Sequence, residues 1–341
     1  MAFELPILRL GMAGFSLDQQ ERLRQVVGHE NRTRLVWETA RINEADVFLV
    51  NGARTQVLAD GTLRIASGVP AGRSVQFAMA ELDRPVAFGQ PLAPRNFQPD
   101  LQFDPASLDS VTAVLARFEA LLAPLIAQFC LASQILEQES ALGSGNYHVS
   151  GEAGRLLAVV NLRGQVAVLS SAPPEEFDGA MWTPQPSSAP IPDHFTRTSL
   201  SHLMWQYALR TTRDVLPQRY HTDLLYFRRP PRLPQRALSD AHLLLLRELA
   251  YAPATFTELQ QRTGLVGADL VRTLSALYLV GAITSNPKRA AQPAIRRHDG
   301  ADTDGHVLHS VAPSGMDPES GPGMLRPVRP DLTAPAPLSF D

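Results

Sequence analysis

Residues 46–51 read Asp-Val-Phe-Leu-Val-Asn, four apolar side chains in unbroken succession between an acid and an amide. Successive side chains of an extended strand point to opposite faces, so such a run is stable only where both faces are covered. That requirement predicts a parallel strand inside an α/β sheet, and the flanking sequence has the matching rhythm. Residues 7–10 supply a first strand that ends at Gly11 and Gly14. Ser16 or Asp18 then caps a helix running to Val27, with Leu23, Val26 and Val27 on its buried side. Residues 35–37 form a second strand, and 46–50 a third that turns at Asn51-Gly52. Residues 63–66 give a fourth, 74–82 a helix, and 86–88 a fifth strand before Gln90-Pro91. Residues 1–92 are therefore expected to form an α/β domain.

A linker from Pro91 to Pro105 leads to the longest helical pattern, residues 105–140. Leu108, Val111, Leu115, Phe118, Leu122, Leu125 and Phe129 advance by alternating steps of three and four, which lines them along one face. Pro124 lacks the amide proton that a helix interior needs, so the element should bend or divide around residues 121–123. The seam from Leu108 through Val111, Leu115 and Phe118 to Leu122 either packs on the chain's own sheet or serves as an interaction surface for a second copy. Residues 143–235 contain an expected hairpin (156–160 and 166–169 around Gly164), a Pro/Ser-rich surface loop (173–192) and a helix (199–212).

Residues 236–290 carry the clearest local pattern. Ser239 caps a first helix, and Thr255 with Glu258 forms a capping box on a short second one that ends at Gly264. A third helix runs from about Ala268 to Leu279, with an extended segment beyond Gly281. Helix, short helix, tight turn, longer helix and strand is the order of a winged helix-turn-helix. In such a domain the third helix reads DNA, with Arg272, Thr273 and Ser275 facing base edges and Lys288 and Arg289 on the wing. Five basic and four acidic side chains between Leu238 and Ala290 make a weak phosphate grip, since duplex binding depends on several Lys/Arg contacts. A protein-docking module is the competing reading. Residues 291–341 hold eight prolines and few clustered apolar side chains, a composition expected to stay disordered. His306 and His309 in that stretch make a poor metal pair without preorganised partners.

The N-terminal block resembles a response-regulator receiver domain across roughly residues 5–92, which implies a flavodoxin-like parallel sheet. It departs from that family at each chemical position. The family's acidic pair after the first strand is matched by Gly11-Met12-Ala13-Gly14, and its phosphorylated aspartate at the end of the third strand by Asn51. The lysine before a proline is matched by Gln90-Pro91, while Ser67 is compatible with the small hydroxyl position. Phosphoryl transfer to a side chain requires a carboxylate nucleophile and a cation to neutralise developing charge. Asn51, Ser67 and Gln90 supply neither, so a degenerate, phosphorylation-independent receiver-like module is expected, or a small-ligand pocket lined by these three.

With 341 residues the chain exceeds what one core usually serves, and 44% hydrophobic residues suffice for folded domains. Its single cysteine, Cys130, excludes an internal disulfide and fits a reducing compartment. No run of about 18 apolar residues marks a membrane span, so a cytoplasmic location is expected. Nucleophile elbow, phosphate loop, dinucleotide fingerprint and zinc-helix motifs are absent from the sequence. Cys130 lies among apolar residues as a core side chain, and Asp193, His194, Ser199 and His202 would make a hydrolytic set only if the fold gathered them. The sequence thus predicts a non-catalytic regulatory or adaptor protein without cofactor or metal, acting on another protein or a second copy. A DNA-binding transcriptional regulator is the alternative.

Overall fold

The structure, a computed structural model, describes residues 4–30, 35–78, 82–94, 97–186 and 190–291. Its N-terminal part is built on a five-stranded parallel sheet of β1 (Ile7–Ala13), β2 (Val36–Ala40), β3 (Val47–Asn51), β7 (Val86–Gly89) and β8 (Gln102–Phe103), in the order β2-β1-β3-β7-β8. Along β3, Val47 and Leu49 face one core while Phe48 and Val50 face another. The unbroken apolar run is thus a strand covered on both sides. The first face is closed by helices α1 (Leu17–Glu30) and α2 (Leu108–Leu121), through Leu23, Val27, Val111, Leu115 and Phe118.

The second face is closed by a small antiparallel sheet, β4 (Thr55–Val57), β5 (Thr62–Ile65) and β6 (Val75–Ala78). Two sequence expectations are corrected here. Residues 63–66 do not join the parallel sheet, and residues 75–78 are strand rather than helix. The reason is a period of two: Leu63 and Ile65 are buried around an exposed Arg64, and Phe77 is buried beside an exposed Gln76. Phe77 meets Phe48 with ring centroids 5.1 Å apart, which fastens the small sheet to the large one. The segment read as a linker contributes β8, the outermost parallel strand.

Helix α2 ends at Leu121 and α3 (Ala123–Glu137) begins after the single residue Leu122, at an angle of 61°, with Pro124 in its first turn where a missing amide is harmless. Among the described residues no single helix is long and apolar enough to cross a membrane. A second sheet follows, antiparallel throughout: β9 (Asn146–Ser150), β10 (Leu156–Asn161), β11 (Gln165–Val168), β12 (Met181–Gln185) and β13 (Thr196–Ser199), ordered β12-β9-β10-β11-β13. Strand β12 lies in the stretch read as a surface loop. As an edge strand it tolerates Pro184.

Helix α4 (Leu200–Ala208) packs on α3 and β11 with one side and on α8 (Gly267–Leu279) with the other. Its Trp205 and Tyr207 are fully buried, and a single apolar core runs from β1 through α3 and α4 to α8. Around α8 stand α5 (Arg219–Thr222), α6 (Asp240–Tyr251), α7 (Phe256–Thr263) and the paired strands β14 (Tyr226–Phe227) and β15 (Ile283–Thr284). Thr255 and Glu258 cap α7 reciprocally, at 2.8 and 3.3 Å, and Gly264 closes it with φ +68°.

The turn after α4 ties the parts together by polar contacts. Arg210 donates to Asp46, which precedes β3, and both side chains are 8% exposed. Glu4 accepts from Tyr207 (2.8 Å), Thr211 (2.5 Å) and the Thr212 amide (3.1 Å) and pairs with Arg213 (3.1 Å), which also holds Glu137 of α3 (2.9 Å). Removing one member of a buried pair strands the other. Asp46→Ala should therefore lower unfolding stability by about 3 kcal/mol, while the Asp46→Leu/Arg210→Met double variant should lose less than the summed single variants. Urea unfolding at neutral pH measures both.

Candidate functional site

Of the strand-end residues singled out in the sequence, Asn51 closes β3 and Gln90 follows the neighbouring β7 at the same rim, while Ser67 follows β5 of the small sheet, and each is occupied by its own chain. Asn51 donates through Nδ2 to the Gly14 carbonyl (3.1 Å) and accepts the Ala53 amide (3.1 Å). The Ser67 hydroxyl is engaged with the backbone of Val69, donating at 2.9 Å and accepting at 3.1 Å, and Gln90 donates to Gln102 at 2.9 Å. The rim is also short of room. A Cβ added to Gly68 would fall 2.0 Å from the Phe15 carbonyl oxygen, and one added to Gly52 would fall 2.3 Å from that of Gly89. Among the described residues no group of three His, Cys, Asp or Glu could hold a metal ion.

The expected recognition helix faces inward. Thr273 and Ser275 are 7% and 2% exposed, and Thr273 donates to the Asp269 carbonyl at 2.6 Å, so neither reaches a base edge. This corrects their place in a DNA surface: α8 spends that side against α4. Lys288 is exposed and Arg289 half-buried in a single 3-10 turn, Pro287–Arg289. Upstream, Arg229 donates to the carbonyls of Gly281 (3.2 Å) and Val280 (3.4 Å), a cap on the end of α8. The helical seam is likewise internal. Val111, Leu115, Phe118 and Leu122 are buried against the chain's own sheet, which corrects the seam as an interaction surface, and only Leu108 stands in solvent.

Cys130 is fully buried, and burial pushes its thiol far above the ordinary range, which suits a core side chain. Ser199 caps α4 through the His202 amide at 3.1 Å, while His194 is exposed and packs edge-on to Phe195. His306 and His309 lie outside the described residues.

A concave feature among the described residues lies elsewhere, an open cleft of about 2080 Å³ where the parallel sheet meets α4, α6 and α8. Its lining carries seven arginines and seven acidic side chains, and three of the arginines come from distant segments: Arg9 of β1, Arg210 after α4, and Arg272 of α8. Asp46 is the carboxylate buried among them. Its Oδ1 takes Arg210, and its Oδ2 takes the backbone amide of Arg9 at 3.0 Å. The Arg9 guanidinium donates instead to the Leu209 carbonyl at 2.5 Å. Burial holds Arg9 below its ordinary pKa and the neighbouring charges of Arg210 and Arg272 push the same way, while Asp46 and Glu44 offset part of the shift. Arg272 makes no hydrogen bond or ion pair among the described residues. The buried Nε of Arg210 is likewise without a hydrogen-bond partner.

His242 forms another part of the wall, packed on Trp205 with ring centroids 4.4 Å apart. Its Nδ1 accepts the Ser239 amide (3.2 Å) and faces the Ser239 hydroxyl (2.6 Å), which assigns the proton to Nε2. That buried Nε2 has no partner. Sequence reasoning passed over Arg9, Arg210 and His242. Each is an isolated polar residue, and what marks them is convergence from segments some 160 to 200 positions apart. Comparison of the chain with protein-family models, with curated proteins and with solved structures finds no match.

Burial lowers the pKa of His242 to about 4, whereas the unfolded chain protonates it near the usual 6.5. The unfolded state therefore binds the extra proton between those values, and the contribution of His242 to stability should fall by about 3 kcal/mol as pH drops from 7 to 4. Glu139, raised by burial to about 7, acts in the opposite sense, favouring the folded state as pH falls. The His242 contribution is isolated by His242→Gln: urea midpoints of the wild type and the variant should converge as pH falls from 7 to 4.5.

Proposed function

We propose that the protein is a non-catalytic regulatory or adaptor protein that acts by binding another protein or a second copy of itself, independently of phosphorylation. The observation that carries this reading is the closed strand-end rim, where Asn51, Ser67 and Gln90 are committed to neighbouring chain and Gly52 and Gly68 leave no space. The parallel strands, numbered among themselves along the chain, run 2-1-3-4-5, the doubly wound order of flavodoxin-like sheets, which supports a receiver-like ancestry. Among the described residues, the crossover from β3 to β7 is the small antiparallel sheet rather than a helix, and the loops before β3 and β8 carry no helix. A winged-helix-like reading of the last part is supported by α6, α7 and α8 in succession with β15 paired to β14 and a bridge from Leu225 to Ala254. With α8 covered by α4, that unit serves the protein's own core, and a cytoplasmic setting accords with the single buried thiol.

Incubation with acetyl phosphate and magnesium is expected to leave the wild type unmodified, as read by intact mass. Asn51→Asp should remain unmodified as well. It places a carboxylate against the Gly14 carbonyl and should lose about 1–3 kcal/mol of stability. Magnesium-dependent phosphate uptake by either chain would overturn the reading. Duplex DNA binding that weakens steeply with salt and on Arg272→Ala would restore the transcriptional alternative.

A further inference from the structure

We propose that the strap after β14 and the turn after β15 form a docking surface for a short acidic peptide segment of a partner protein, received by Arg228, Arg229, Arg232, Lys288 and Arg289. The inference rests on the adaptor reading and names the chemistry of its partner. Four arginines and no acid stand between Asp223 and Asp240, and Arg272, Lys288 and Arg289 are joined by no acid between Leu270 and Ala291. The pairing of β14 with β15 brings the two stretches together. The Arg228 and Arg229 amides donate to the Ala282 carbonyl at 2.8 and 3.3 Å, and the Ala291 amide donates to the Phe227 carbonyl at 2.9 Å. The Arg228 and Arg229 guanidinium groups lie over one glycine: a Cβ on Gly281 would fall 3.7 Å from Nη1 of the first and 3.2 Å from Nη2 of the second.

Carboxylates of the neighbouring elements are engaged elsewhere. Asp214 faces His221 at 3.4 Å, Asp223 accepts from Thr222 at 2.9 Å, Glu248 pairs with Arg247 at 3.0 Å, and Glu258 caps α7. Asp240 and Asp269 line the cleft, whose lining includes none of the five basic residues. Burial and the neighbouring charges of Arg228 and Arg232 hold Arg229 below its ordinary pKa, with no carboxylate acting against them. Arg229 spends two nitrogens on the end of α8, whereas the side chains of Arg228 and Lys288 make no hydrogen bond or ion pair among the described residues. Pro230, Pro231 and Pro234 fix the backbone of the strap, so its arginines are displayed at little ordering cost, and their forks match carboxylate oxygens in pairs. The chain's net charge is −3, so the surface outside these five residues is more acidic still. Duplex DNA would run on across that surface, while a short acidic peptide stays on the patch.

The test is fluorescence anisotropy of the full chain with a labelled peptide of about ten residues alternating glutamate and glycine, beside the same peptide with glutamine for glutamate. The glutamate peptide is expected to bind with a Kd of about 0.1 mM or tighter at about 50 mM salt and several times more weakly at about 200 mM, and the glutamine peptide not to bind. The Arg228→Gln/Lys288→Gln double variant should bind about tenfold more weakly or worse. Since neither side chain has a structural partner, its urea midpoint should match the wild type. Arg272→Gln and the exposed Arg163→Gln should bind as the wild type does, which separates the patch from the cleft. Absence of salt-sensitive binding of the glutamate peptide overturns the proposal, as does unchanged binding by the folded double variant or a loss on Arg272→Gln. None of these touches the adaptor reading, which phosphate uptake tests. Duplex DNA that binds more tightly than the peptide and is lost in the same double variant assigns the patch to nucleic acid and overturns the proposal.

Discussion

The turn that follows α4 is the joint on which the assembly rests. Within five residues, Leu209 to Arg213, the chain gives a carbonyl to Arg9, a guanidinium to Asp46, a hydroxyl to Glu4 and a second guanidinium to both Glu4 and Glu137. It also accepts the Ile7 amide at the Arg210 carbonyl (3.0 Å), so backbone and side chains both fix the start of β1. Charged groups this deep are tolerated because almost every lone pair and proton has a partner. Tyr207 belongs to the same set: burial pushes its hydroxyl up to about 12, which keeps it a neutral donor to Glu4.

That joint explains the fate of the last helical unit. Once α4 is fixed to the first sheet at its C-terminal end and to the second sheet along one side, its opposite side presents Leu203, Trp205 and their neighbours, and α8 covers them. Covering that surface takes the face of α8 that a DNA reader would leave open. Leu270, Leu274 and Leu277 would be buried in either arrangement; Thr273 and Ser275 are buried only because a second helix lies on the far side. The local sequence of a winged-helix order is the same in both cases, and the difference lies in a helix some seventy residues earlier.

Local signals were legible wherever the physics was local. The unbroken run in β3, the stop imposed by Pro124, the reciprocal cap of Thr255 and Glu258 and the left-handed Gly264 each follow from neighbours within a few positions. Errors arose where a period of two was short and interrupted, as in β6, or where prolines suggested a loop, as in β12, whose pairing with β9 supplies what its composition lacks. Strand β8 is two residues long and exists only because β7 offers an edge. The site was less legible still. Asn51 and Gln90 stand at the ends of parallel strands, as the strand rhythm implies, whereas Ser67 follows a strand of the small sheet, and the hydrogen bonds of the three to Gly14, Val69 and Gln102 depend on loop paths that no pattern encodes. Arg210 and Asp46 meet across 164 positions, and neither stands out from the chain's other charges.

A joint needs a neutral pair, and Arg210 with Asp46 provides one; a well-packed apolar pair of the same volume often stabilises as well or better. Arg9 and Arg272 add two like charges beside that pair, and burial already disfavours the charged form of Arg9. Carboxylates offset them: Glu44 favours the charged form of Arg9, and Asp269 lines the same cleft as Arg272. Charge balance at the joint thus depends on residues from segments far apart in the chain, and it is reached only when the parallel sheet and the C-terminal helices are assembled together.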